Sequence, residues 1–197
     1  MTIAVKSFEK HFANIEKEDK AIKKDIVNSK KKYKLLKTLI EQNRIAMAQE
    51  YLAEYLPNKE KVEYAFYASK LVLECFEEYY PDNNTLKTTV KYIEEYINNP
   101  KEKTIDKIKK MIPKIEKIQS DAEDDYDRDD IDMDSPVYAA RTVKNTASIV
   151  CKYSEKGENL SKYIENIYNE AEFGSESQQV GKKVLEYGLE LLKKSES

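Results

Sequence analysis

The side chains that could perform covalent or acid–base chemistry are few and scattered. His11 is the only histidine, set between Lys10 and Phe12, and the two cysteines, Cys75 and Cys151, stand far apart in apolar stretches. A Cys–His nucleophile pair needs a thiol held beside an imidazole base. An exposed histidine with two buried thiols accounts for the same residues and is the preferred reading. A disulfide is not expected, because no export signal is seen in the sequence. Zinc sites of the structural type take about four nitrogen or sulfur ligands, and this chain has three candidates in total. No GxSxG, HExxH or Walker-type motif occurs. Carboxylates abound, but on solvated helices they define no acid–base pair. The sequence therefore predicts no enzyme, no metal and no cofactor; a small-molecule enzyme would need a formed polar pocket that sequence does not reveal.

Charge is the stronger signal. Residues 121–134 carry nine acids against Arg128 alone. Asp125, Asp127 and Asp129 have the spacing of the first three ligands of a calcium loop. The pattern then fails at Asp130, where the turn needs glycine, and at Pro136, where a bidentate glutamate is needed. Three readings remain: a solvated loop, adventitious binding of a divalent cation, or a partner-binding element built on Asp124, Asp125, Tyr126, Asp127, Asp129, Asp130 and Asp132. Charge of that density steers a basic partner, and Tyr126 would supply anchoring area. At the other end, residues 17–37 hold nine lysines against Glu18, Asp19 and Asp25. They lack arginine and contain one aromatic, Tyr33, so a solvated helix face is preferred over a phosphate-binding one. Most of the fifteen tyrosines lie at or beside apolar stripes, the position of core-edge residues.

The elements that must position these residues are helices. Only four glycines occur, none before Gly157, and tight hairpins depend on the positive φ that glycine supplies. No strand-like alternation appears. Helical spacing is read over 4–26 (with a break at Asn28-Ser29), 31–41, 43–55, 59–79, 85–98, 102–119, 136–153, 159–173 and from Ser175 or Ser177 onward. Pro113 should kink or split its helix. The acidic stretch is expected to be loop, restarted by Ser135 as N-cap and Pro136 at the first helical position, and Gly174 is expected to stand just past a helix end. The predicted fold is all-α, an irregular bundle of eight to ten helices with an acidic loop between the middle and C-terminal helices. Residues 1–58 read as a charged helical extension packed on a main domain of 59–197. The core is expected on 62–80, 86–97, 136–151 and 160–171. No stretch approaches the ~20 apolar residues of a membrane span, and the N-terminus lacks an apolar export core, so a cytoplasmic protein is expected.

From Tyr64 the chain reads YAFYASKLVLECFEEYYPDNNTLKTTVKYIEEYI, and from Ser135 SPVYAARTVKNTASIV. Together these segments resemble the all-helical immunity-protein family of bacterial polymorphic-toxin systems. The matching positions are Ala68, Leu73, Phe76, Glu77, Pro81, Asp82 and the run Tyr138-Ala139-Ala140-Arg141. The resemblance spans roughly residues 60–173. It departs at Thr85-Leu86, where the family pattern has Arg-Pro, and in the Lys- and Ile-rich 101–119. The resemblance implies a cytoplasmic helical antitoxin that binds and blocks a cognate toxin, and it carries no catalytic residue; the acidic segment adds the expectation that the toxin has a basic surface. The alternative is a nucleic-acid-associated or regulatory protein using the Lys-rich helix.

Overall fold

In a computed structural model, the residues described are 20–22, 24, 32–129, 134–155, 160–164, 166–175 and 177–197, with 124–129 and 134 described by backbone alone. Among the described residues, beside a helical stretch at 20–22 and 24, nine helices form: α1 (Lys32–Glu41), α2 (Ile45–Tyr55), α3 (Asn58–Tyr79), α4 (Thr85–Asn98), α5 (Glu102–Asp129), α6 (Asp134–Ser154), α7 (Ser161–Ile164), α8 (Ile167–Gly174) and α9 (Gln178–Ser195). No strand occurs among the described residues. The all-α bundle is as the periodicity predicts. Within 4–26 only 20–22 and 24 are described, and Asn28-Ser29 lies outside.

Two helices make the hub. α3 packs on α4, α6, α8 and α9, and α6 packs on α3, α4, α5 and α8. Val62, Ala65, Ser69, Val72 and Phe76 recur at three and four residues along α3, and all are buried, which is the spacing that stacks side chains on one helical face. α6 answers with Ala139, Ala140, Val143, Ala147 and Val150, also buried. Small residues at the crossing let the two backbones approach. The approach is close enough for Thr146 Oγ1 to reach Ala65 O at 3.0 Å, while Ser69 Oγ lies 2.7 Å from Thr146 Oγ1. Helices α1 and α2 join the same core through Leu36, Leu39, Tyr51 and Leu52. The link between them turns at Asn43, whose φ of 58° is the left-handed conformation asparagine tolerates.

The structure departs from the local reading at five places. Of the two outcomes expected at Pro113, a kink or a split, the split does not occur: α5 runs unbroken for 28 residues. The acidic segment is not a loop, since α5 continues through Asp129. The apolar row Ile108, Met111, Ile115, Ile118 extends to Ala122, which is fully buried, so packing carries the helix past the point where composition predicts an end. Ser135 lies inside α6 and not at its cap. Its hydroxyl is buried, 2.9 Å from Cys75 Sγ and 3.3 Å from the Gly174 carbonyl, so it bridges three helices. The single helix expected over 159–173 is two. Ser161 at the start of α7 is held by Lys61 Nζ on α3 at 3.0 Å, whereas Glu170 on α8 accepts both bonds from Asn145 on α6 at 2.8 and 2.9 Å; the halves serve different partners. Gly174 closes α8 from within. A Cβ there would stand 2.7 Å from Ala139 N and 3.0 Å from Ala139 Cα, so glycine is required by contact with the α6 backbone and not by a terminal turn.

Candidate partner-binding surface

α5 and α6 form an antiparallel pair joined by residues 130–133. Their register is set by Lys109 Nζ with Glu155 Oε1 at 3.4 Å, Lys144 Nζ with Gln119 Oε1 at 3.1 Å, and Arg141 Nη2 with Glu123 Oε1 at 2.8 Å. That register sets the last turns of α5 level with the first turns of α6. Asp124, Asp125, Tyr126, Asp127 and Asp129 therefore fall on the helix end beside Tyr138. Their side chains, and Asp130 and Asp132 altogether, lie outside the described residues. Because successive helical residues are about 100° apart, backbone positions 125 and 127 stand roughly 200° from each other around the axis. The i, i+2, i+4 spacing of the calcium-loop reading does not converge there.

The residues that sequence reasoning missed are beside this helix end. Phe173, one residue before the close contact at Gly174, is 55% exposed and is the one large hydrophobic so exposed among the described residues. Its ring meets Tyr138 at 5.0 Å between centroids, tilted by 33°. The guanidinium of Arg141 stands over the Tyr138 ring at 5.1 Å. The available signal was an off-stripe aromatic: Phe173 is out of phase with Ile164, Ile167 and Ala171, which fill the core. An aromatic pair capped by an arginine is the composition that protein interfaces enrich at their anchors.

A polar network supports the patch from below. Hydrogen bonds from Gln119 and Arg141 hold the Glu123 carboxyl below the usual range for glutamate, the Gln119 bond being the larger cause. Burial pushes Glu170 the other way, upward, against the Asn145 bonds and the nearby charges of Arg141 and Lys144. Arg141 thus bonds Glu123 at 2.8 Å while standing over the Tyr138 ring, with the Glu170 charge nearby.

The remaining candidates distribute as follows. His11 lies outside the described residues. Neither cysteine is in a disulfide; Cys75 is half-buried and Cys151 buried, and burial pushes Cys151 up to about 11, so it stays protonated at neutral pH. Among the described residues no three His, Cys, Asp or Glu side chains are grouped to hold a metal ion, and no helix is long and apolar enough to cross a membrane. Of the Lys-rich segment, Lys20, Lys24, Lys34 and Lys37 are exposed. Lys32 stands over the Tyr55 ring at 5.0 Å, its N–H donating to Glu196 Oε1 at 2.9 Å. Lys30 and Lys31 are outside the described residues. The chain matches no protein-family model, no curated protein and no solved structure.

Proposed function

We propose that this chain is an immunity-type inhibitor that neutralises a cognate bacterial toxin by direct contact, through the acidic end of α5 and the Tyr138–Phe173 pair. The observation that carries the reading is Phe173, exposed and packed on an arginine-capped tyrosine beside the densest run of acids in the chain. An exposed aromatic anchor gives a partner apolar area to desolvate, and adjacent acids choose a partner whose surface is basic. Toxins that act on nucleic acid present such surfaces, and carboxylates can stand where phosphates would. The resemblance over roughly residues 60–173 supports the same reading, and two of its matching positions, Tyr138 and Arg141, belong to this surface.

The test starts from the protein that co-purifies with this chain in the source cells, identified by mass spectrometry and assayed for toxicity alone and with the chain. Replacing Asp124, Asp125, Asp127, Asp129 and Asp130 by asparagine should slow association on the order of tenfold or more at low salt, and the difference should shrink as salt screens the steering. Phe173→Ala should raise the dissociation rate about 30-fold with little change in association, the behaviour of an interface anchor. A captured protein that is not toxic, or rates unchanged by both variants at every salt concentration, sinks the proposal.

A further inference from the structure

A second feature lies away from that surface, where the turn between α3 and α4 meets the middle of α5. It is an open groove of about 740 Å³, within the size range of small-ligand sites. Three tyrosines line it: Tyr79 and Tyr80 from the end of α3, and Tyr92 from α4. Its walls are held in place. Tyr80 stacks on buried Phe76 at 5.2 Å, and Lys107 Nζ stands over the Tyr92 ring at 4.7 Å. The turn is closed by Asn83 N donating to Tyr80 O at 3.0 Å and by Asn83 Oδ1 accepting from Thr85 N at 3.0 Å. Asn84 precedes α4, yet its side chain makes no capping bond, and it is exposed. Its amide is therefore free of the commonest duty at that position.

The lining restricts the ligand. Its formal charges are Asp82 and Lys114, one of each sign, so the groove selects no net charge. Met111 is buried, leaving Pro81 as the open aliphatic contact, too little for a lipid chain. What remains is tyrosine rings beside side chains that both donate and accept, namely Asn83, Asn84 and Thr88; a proline-rich peptide would meet the rings, but its prolines offer carbonyl acceptors and no N–H. A sugar ring has the complementary chemistry: hydroxyls that likewise donate and accept, and C–H faces that pack on aromatic faces by dispersion. We infer that this groove is a binding site for a neutral oligosaccharide.

The test is a titration of the isotope-labelled full chain, followed by amide NMR, with maltohexaose, cellohexaose and chitohexaose in turn. At least one should give saturable shifts at Tyr79, Tyr80, Asn83, Asn84 and Tyr92, with Kd between micromolar and millimolar. Asn84→Ala should weaken binding roughly fivefold, the worth of about one hydrogen bond; this exposed side chain makes no cap, so the fold should be unchanged by its amide spectrum. Lys114→Gln should leave affinity within about twofold, because a neutral ligand makes no ion pair there. Saturable shifts confined to other parts of the chain would overturn the inference. So would no saturation by any of the three sugars, or decaproline binding in the groove where the sugars do not.

Discussion

The α3–α6 crossing and the far end of α6, where it meets α5 on one side and α8 on the other, are built from the same element type, and they differ in what surrounds them. At the crossing, alanines bring two backbones together, and the hydroxyls of Ser69 and Thr146 are buried with partners at 2.7 and 3.0 Å. Side chains there are surrounded by protein, so removing one leaves a hole. At the α6 end, Phe173 and the Glu123–Arg141 pair face water, and water replaces what a mutation removes. The lesson is that this fold keeps its stability and its proposed recognition on different residues. A partner surface can then change without unfolding the bundle.

The largest expected effect attacks the buried core that the crossing belongs to. Phe76→Ala and Ile167→Ala should each cost about 2–5 kcal/mol in urea unfolding, as cavities at fully buried sites do. Phe173→Ala should cost under about 1 kcal/mol, as expected of an exposed position. Equal losses at Phe76 and Phe173 would erase the distinction between the two regions.

Gly174→Ala sharpens it, because this glycine is where the two regions touch. Its new methyl would meet the Ala139 backbone at 2.7 Å, and backbone cannot step aside as a side chain does. A loss of about 1–3 kcal/mol is expected, the range for overpacking. Gly181→Ala would instead meet Glu172 Oε2 at 2.7 Å and the Tyr168 ring at 2.9 Å, ends that can rotate away, and should cost less. Thermal melts of the two variants give the ordering directly.

Breaking the surface pair should cost less again. Glu123→Gln should lose under about 1 kcal/mol at pH 7, since both partners are more than a third exposed and solvent screens them. The pH dependence has a definite sign. Glu123 is depressed in the fold, so its contribution is present above the ordinary glutamate range and is lost as pH falls through the lowered value. The stability gap between parent and variant should therefore close on acidification. A gap that widens in acid would mean that the Gln119 and Arg141 bonds do not favour the charged carboxyl.

The smallest effect belongs to the five Asp→Asn replacements on the acidic segment. Unfolding stability should move by less than about 0.5 kcal/mol, or rise slightly as crowded like charges are removed. A large loss would assign that helix end to the fold and not to a partner.

What the sequence determined by itself is the part of the fold that depends on neighbours three and four residues away. The spacing of Val62 through Phe76 and of Leu86 through Ile97 predicts α3 and α4 nearly to their ends, because a helix is a local object and its buried face recurs with a fixed period. The same locality explains the burial of Phe76 and Ile167. Tertiary structure decided whatever depends on a partner from elsewhere in the chain. Nine acids argue for loop until Ala122 is buried and Glu123 meets Arg141 across a hairpin. Gly174 looks like a terminator until Ala139 is found against it. Phe173 reads as one more apolar residue until the phase of its own helix turns it outward beside Tyr138. The groove likewise gathers Tyr80, Tyr92 and Lys114 from three helices. In each case the missing information is a distance between residues remote in sequence, and no local period encodes it.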